Sequence, residues 1–162
     1  MIPVAGYNQG ETNIPDAMRR LKNHIDDLPG KFQDFTTEEL LDRPAPGKWS
    51  KQEILGHLVD SAINNLKRFT EIQFLPQPYR IISYQQNELV IVNNYQHLPI
   101  DHLLHLWQSL NRQIMYVVQN IPEEKFELSV DPQYENKETK TLGWIIADYV
   151  AHMEHHFRQL FV

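Results

Sequence analysis

Eight histidines and no cysteine occur in the 162 residues, so a metal held by this chain would be held by nitrogen or oxygen, and a cysteine nucleophile is excluded. Position has to choose among the eight. His152 and His156 are four apart in ADYVAHMEHHFRQL, a spacing that sets two side chains on one helix face, a turn from each other, where they can converge on one ion. At about 100° per residue from Ile145, both fall roughly 20° to either side of the apolar stripe's direction, and His155 is displaced by about 60° more. The nearest known pattern, H-E-x-x-H, makes the glutamate beside the first histidine a general base. Glu154 in HMEHH lies roughly 200° round the helix from each of the pair, which argues against a protease of that kind.

Two helical histidines bordering a core are more often ordinary polar residues than ligands, so a third donor is required. His57 supplies it. It stands at the edge of an apolar stripe among Glu53, Asp60, Ser61 and Asn64, a polar set unlike a plain solvated face. Alone, His57 reads as a structural histidine; beside the C-terminal pair it reads as a ligand. Asp148, four residues before His152, could accept that ring's second proton or be a solvated acid. His24, His97, His102 and His105 have no comparable neighbours and are given no role.

The elements that must position these residues are helices. Ile14, Met18, Leu21, Ile25 and Leu28 step by four and three, giving a first helix that Leu28-Pro29-Gly30 should stop. Thr36 and Glu39 could cap a short turn. Ser50 and Glu53 form a capping box, with Trp49 and Ile54 placed as a hydrophobic staple, so a second long helix runs from there to about Phe74, ahead of Pro76 and Pro78. The stretch after Ser83 suggests a lesser helix or a lining segment. Pro99 introduces a third long helix, from Ile100 to Ile121; residues 122–140 read as a charged loop, and a fourth helix begins near Thr141 and carries its stripe to the C-terminus.

Four amphipathic helices without strand alternation predict an all-α four-helix bundle. The long segment between the second and third helices permits a crossover that leaves those two parallel, an up-down-down-up order. Residues 1–162 read as a single domain of ordinary size, with 41% hydrophobic and 22% charged residues. A net charge of -6 argues against an electrostatic grip on nucleic acid or an anionic membrane. No stretch approaches a membrane span or a secretory signal, which makes the cytoplasm the default address.

The segment GKWSKQEILGHLVDSAINNLKRF, followed much later by ADYVAHMEHHFRQL, closely resembles the DinB-like, YfiT-like superfamily of metal-binding four-helix bundles. The Trp49-Ser50 helix start, Gly56-His57-Leu58 and the closing His152, His155, His156 and Gln159 pattern carry the likeness, which covers nearly the whole chain. The resemblance implies a site for nickel, zinc or a similar divalent ion on His57, His152 and His156, with water in the remaining positions. It also implies either metal-dependent hydrolases or thiol S-transferases using bacillithiol, mycothiol or glutathione.

Open positions on such an ion would lower the pKa of a bound water or thiol and supply a nucleophile without cysteine. The expected function is therefore a hydrolase or thiol S-transferase acting on a small molecule. Zinc or nickel comes first, manganese or iron next, with a low-molecular-weight thiol as the cosubstrate of the transferase branch. Glu53, Asp60 and Asp148 are candidate proton carriers. A non-catalytic metal- or ligand-binding stress-response protein is the alternative, and a purely structural bundle the blandest reading. Bundles of this kind often bury an exposed helix face in a homodimer.

Overall fold

Four long helices carry the computed structural model, which describes residues 6–7, 12–133 and 138–161. They are α1 (Ile14–Gln33), α3 (Lys51–Glu71), α5 (Ile100–Gln119) and α6 (Leu142–Leu160). Two shorter helices, α2 (Thr37–Leu41) and α4 (Gln86–Val92), and three short strands, β1 (Tyr79–Arg80), β2 (Ser129–Asp131) and β3 (Lys140–Thr141), fill the connections.

Four of the helix starts are written in their caps. Asn13 accepts from the Asp16 amide, Thr141 accepts from the Trp144 amide, and Thr36 and Ser50 form reciprocal capping boxes with Glu39 and Glu53. The first helix does not stop at Leu28-Pro29-Gly30 as its sequence suggests; it runs through Pro29 to Gln33. Proline at position 29 removes the amide that would bond to the Ile25 carbonyl one turn back. Gln108 of α5 donates its side-chain amide to that carbonyl at 2.9 Å, so a neighbouring helix satisfies what the proline leaves open.

The helix directions follow from which ends meet. The Gln52 side chain, at the start of α3, donates to the carbonyls of Tyr95 and Leu98, just ahead of α5, and Lys125 beyond α5 reaches the Gln73 carbonyl beyond α3. These two helices are therefore parallel, and the segment between them crosses the length of the bundle. Lys51 at the start of α3 bonds the Leu160 carbonyl at the end of α6, making that pair antiparallel. Arg20 and His24 of α1 reach Glu154 of α6, and Phe32 meets Phe161, so α1 and α6 run together. The order is the expected up-down-down-up bundle.

Residues 122–140 hold more than the loop their charge suggests. Val130 of β2 pairs in parallel with Tyr79 and Ser129 pairs in antiparallel fashion with Thr141, a three-stranded sheet in the order β1-β2-β3. With two or three residues per strand there is no alternation long enough to read from sequence. The sheet closes the end of the bundle where α3 and α5 finish and α6 begins.

The core is continuous through all four long helices, with Leu21, Leu55, Leu58, Phe69, Leu103, Trp107, Ile114, Ile146 and Val150 excluded from solvent. One polar pair lies inside it: Tyr149 of α6 donates to Asn111 of α5 at 2.6 Å, and Asn111 donates to the Trp107 carbonyl. A buried pair of this sort costs free energy in any other helix register.

Gly56 sets the approach of the crossover to α3. A Cβ added there would lie 2.2 Å from the Tyr95 ring, so only glycine lets that ring lie flat on the helix. Gly56→Ala is expected to destabilise the protein by about 1–3 kcal/mol through overpacking. Gly30→Ala in α1, where a Cβ meets nothing within 4 Å, is expected to stabilise it by about 0.5–1 kcal/mol through helix propensity. Chemical denaturation of both variants checks the contrast.

Candidate metal centre

The antiparallel register of α3 and α6 brings the expected histidines together. His57 of α3 is fully excluded from solvent and lies against the Trp49 ring, with centroids 4.9 Å apart and planes 33° from parallel. His152 and His156 project from successive turns of α6. The Nε2 of His152 is 3.3 Å from that of His57 and 3.1 Å from that of His156, and one nitrogen from each of the three lies within 4.8 Å of the others. Three ring edges thus face one point from two helices.

The outward nitrogens are treated differently from ring to ring. Nδ1 of His156 meets Oε1 of Gln159 at 3.0 Å, and Nδ1 of His152 lies 3.4 Å from the Ser61 hydroxyl. Nδ1 of His57 is buried without a hydrogen-bond partner among the described residues. Asp148 is the residue sequence spacing offers for the second nitrogen of His152, but Ser61 of α3 stands there. The signal was present: Ser61 is one turn beyond His57 and shares its face.

All three rings are held neutral. Burial, reinforced by the nearby His156, lowers the pKa of His57 to about 3. His152 is pushed well below the ordinary value by burial and then by its histidine neighbours, and His156 is lowered by burial against an opposing hydrogen bond with Gln159. Neutral imidazole is the form that binds metal. The spacing fits as well, since a tetrahedral ion with bonds of about 2.0–2.1 Å separates its ligand atoms by about 3.3 Å. Lone pairs facing one another at 3.1 and 3.3 Å repel unless a proton or a cation lies between them.

Among the candidate acids, Glu53 is already committed. It completes the capping box with Ser50 and takes two hydrogen bonds from Arg43, at 2.5 and 2.8 Å. Burial raises its pKa, but those bonds outweigh burial and the net shift is downward, leaving an ionised structural carboxylate. Asp60 differs. Its Oδ1 accepts from Tyr95 at 2.6 Å and Asn93 at 3.1 Å, whereas Oδ2 is buried without a partner among the described residues. Burial raises its pKa against those two bonds. Asp148 is half-buried one turn before His152, and its charge helps burial raise the pKa of Tyr7.

Glu154 points to the opposite side of α6, as its angle requires, and binds Arg20 together with His24, a histidine to which sequence assigns no role. Tyr7, Tyr84 and Tyr95 were not found by sequence reasoning. Tyr7 packs on His152 at 4.9 Å, Tyr84 bonds to Ser61, and Arg68 lies 5.7 Å from the Tyr84 ring. All three tyrosines lie outside the long helices, where no sustained periodicity reveals which way they face.

The sequence matches the model of the DinB superfamily over residues 20–160. Among curated proteins, none matches. The fold is similar to that of YfiT from Bacillus subtilis, described as a probable metal-dependent hydrolase with an unusual four-helix bundle topology. The TM-score is 0.83 at 20% identity, covering 98% of this chain and 91% of that one. The mycothiol-dependent maleylpyruvate isomerase gives a TM-score of 0.64 at 12% identity, with 90% of this chain matched to 60% of the isomerase. An uncharacterised protein from Escherichia coli UTI89 gives 0.61 at 14% identity, with 93% of each chain covered. At these identities the likeness is one of fold.

Three neutral histidines with lowered pKa values also set a pH dependence. In the metal-free protein the unfolded chain takes up protons below about pH 6.5 that the folded chain does not, so stability falls as pH drops from there towards the lowered folded pKa values. The slope approaches about 1.4 kcal/mol per pH unit for each such proton. Urea denaturation between pH 7.5 and 4.5 should show the loss, and His57→Gln should flatten it. An unchanged slope in that variant would mean that His57 is protonated in the fold.

Proposed function

Since the chain belongs to the DinB superfamily, we propose that His57, His152 and His156 hold one divalent metal ion, and that the protein is a metal-dependent hydrolase of small molecules. The observation that carries this reading is the meeting of three neutral imidazole edges, two buried and one partly buried, from two antiparallel helices, with two of their separations matching those of a coordinated ion. A divalent ion there supplies a Lewis acid that lowers the pKa of a coordinated water or thiol. Zinc or nickel suits an all-imidazole set best, with manganese or iron next.

The remaining residues have separate tasks. Trp49 covers the His57 ring and excludes water from its rear face. Ser61 and Gln159 hold the outward nitrogens of His152 and His156, which keeps the inner lone pairs aimed at one point. Asp60, one turn beyond His57 and braced at Oδ1 by Tyr95 and Asn93, has its pKa raised by burial and is the group we assign to proton exchange with substrate. Glu53 is excluded from that task by its bonds to Ser50 and Arg43.

The solved structure with which the fold agrees at a TM-score of 0.83 is described as a probable metal-dependent hydrolase, and that description supports hydrolysis over thiol transfer.

His57→Ala, His152→Ala and His156→Ala should each abolish stoichiometric metal binding while leaving helical circular dichroism intact, because the core is extensive without the metal; His155→Ala should still bind. Zinc, nickel, manganese and iron forms would be offered esters, amides and lactones, and separately electrophiles with bacillithiol or glutathione. Turnover of an ester, amide or lactone by wild type, lost in folded His152→Ala, supports the reading. A rate that requires thiol would move the protein to the transferase branch, and binding without any turnover would favour a non-catalytic metal protein.

A further inference from the structure

Gln159 does more than meet His156: it links that ligand to His155, which lies outside the proposed centre. Gln159 carries its Oε1 3.0 Å from Nδ1 of His156 and its Nε2 3.1 Å from Nε2 of His155. The Tyr7 ring lies against His155 at 5.1 Å and against His152 at 4.9 Å, so the His155 ring is itself packed in place.

Only one direction of this polar chain serves a metal at His156. For His156 to present a lone pair at Nε2, its proton must reside on Nδ1, and that proton needs an acceptor. The Gln159 carbonyl is that acceptor. A side-chain amide has two faces, however, and turned by half a rotation it would offer N–H to Nδ1. The favoured tautomer of His156 would then put its proton on Nε2, where the lone pair is required. The neighbour on the amide's other side is His155, whose Nε2 accepts from the Gln159 amide when its own proton sits on Nδ1.

Resting on the reading of a metal held by His57, His152 and His156, we infer that Gln159 is a positioning residue that fixes the tautomer of His156, and that His155 orients Gln159. The spacing follows from the helix. A ligand at 156, a neighbour at 155 pointing aside, and an amide at 159 lying three and four residues beyond them are what one α-helical turn needs to close the chain. His155, which its angle excludes from the centre, is tied to the centre through one side chain.

The test uses the full-length protein and Zn2+ in competition with a chelator of known affinity, together with the 15N shifts of the His156 ring with and without metal. Gln159→Leu should bind Zn2+ about tenfold more weakly, the low end of the usual effect for such partners because Gln159 is exposed. In its metal-free form the His156 proton should shift from Nδ1 towards Nε2. Gln159→Glu, which can only accept, should keep near-wild-type affinity and the Nδ1–H form. His155→Ala should lose less than Gln159→Leu, and adding His155→Ala to Gln159→Leu should change nothing further, because His155 acts through the amide.

Wild-type affinity and an unmoved tautomer in folded Gln159→Leu would overturn the inference, as would additive losses in the double variant. If wild type bound none of zinc, nickel, manganese or iron, the metal reading would fall on its own, and the ring shifts of the metal-free proteins would still decide the positioning chain.

Discussion

The register between α3 and α6 is the constraint from which the rest of the site follows. His57 lies two turns into α3, and His152 and His156 lie in the last three turns of α6, so the three rings meet only if the helices run antiparallel with the start of one against the end of the other. A slip by one turn, about 5.4 Å, would remove His57 from the pair. The Lys51 bond to the Leu160 carbonyl and the core contacts of Leu55, Leu58, Val150 and Met153 fix that register.

The two other long helices hold the pair in place from behind. Glu154, between the two α6 histidines in sequence, is bound by Arg20 and His24 of α1, so α6 is pinned by one polar face while it presents another to α3. Asn111 and Tyr149 lock α5 to α6 within the core, and Gln108 of α5 relieves the carbonyl that Pro29 strands in α1. The crossover from α3 to α5 adds the Asp60 brace: Tyr95 reaches the carboxyl only because Gly56 has no side chain. Polar contacts that look isolated in a pairwise view thus each fix one helix relative to the two that carry the histidines.

Much of this was legible in the sequence because helices write their periodicity and caps plainly. The capping box at Ser50, the four-residue spacing of His152 and His156 and the sideways angle of His155 can all be read without coordinates. What could not be read depends on residues distant in sequence. Pro29 ends a helix by local rules, and only Gln108, 79 positions away, overrides them. The short strands have no pattern to detect. Ser61 took the place assigned to Asp148 because helix angles show which residues share a face of one helix, not which helix faces it. Tyr7, Tyr84 and Tyr95 lie outside the long helices, where no sustained period predicts direction.

The histidine cluster also bears on why the bundle is built as it is. Two contacts of 3.1 and 3.3 Å meet at Nε2 of His152, which has one proton or one lone pair to give and cannot satisfy both, and Nδ1 of His57 has no hydrogen-bond partner among the described residues; both oppose folding, since a buried polar atom left unpaired costs roughly 1–3 kcal/mol. The apolar core has to outweigh that cost before any ion arrives, and helices of 19 to 21 residues sharing one continuous core give it the means. The donors are then organised in advance, so little of the free energy of binding a cation is spent on ordering the chain. Destabilisation in the metal-free bundle and preorganisation for the metal are the same arrangement of three rings, which ties the strength of the site to the stability of the scaffold that holds it.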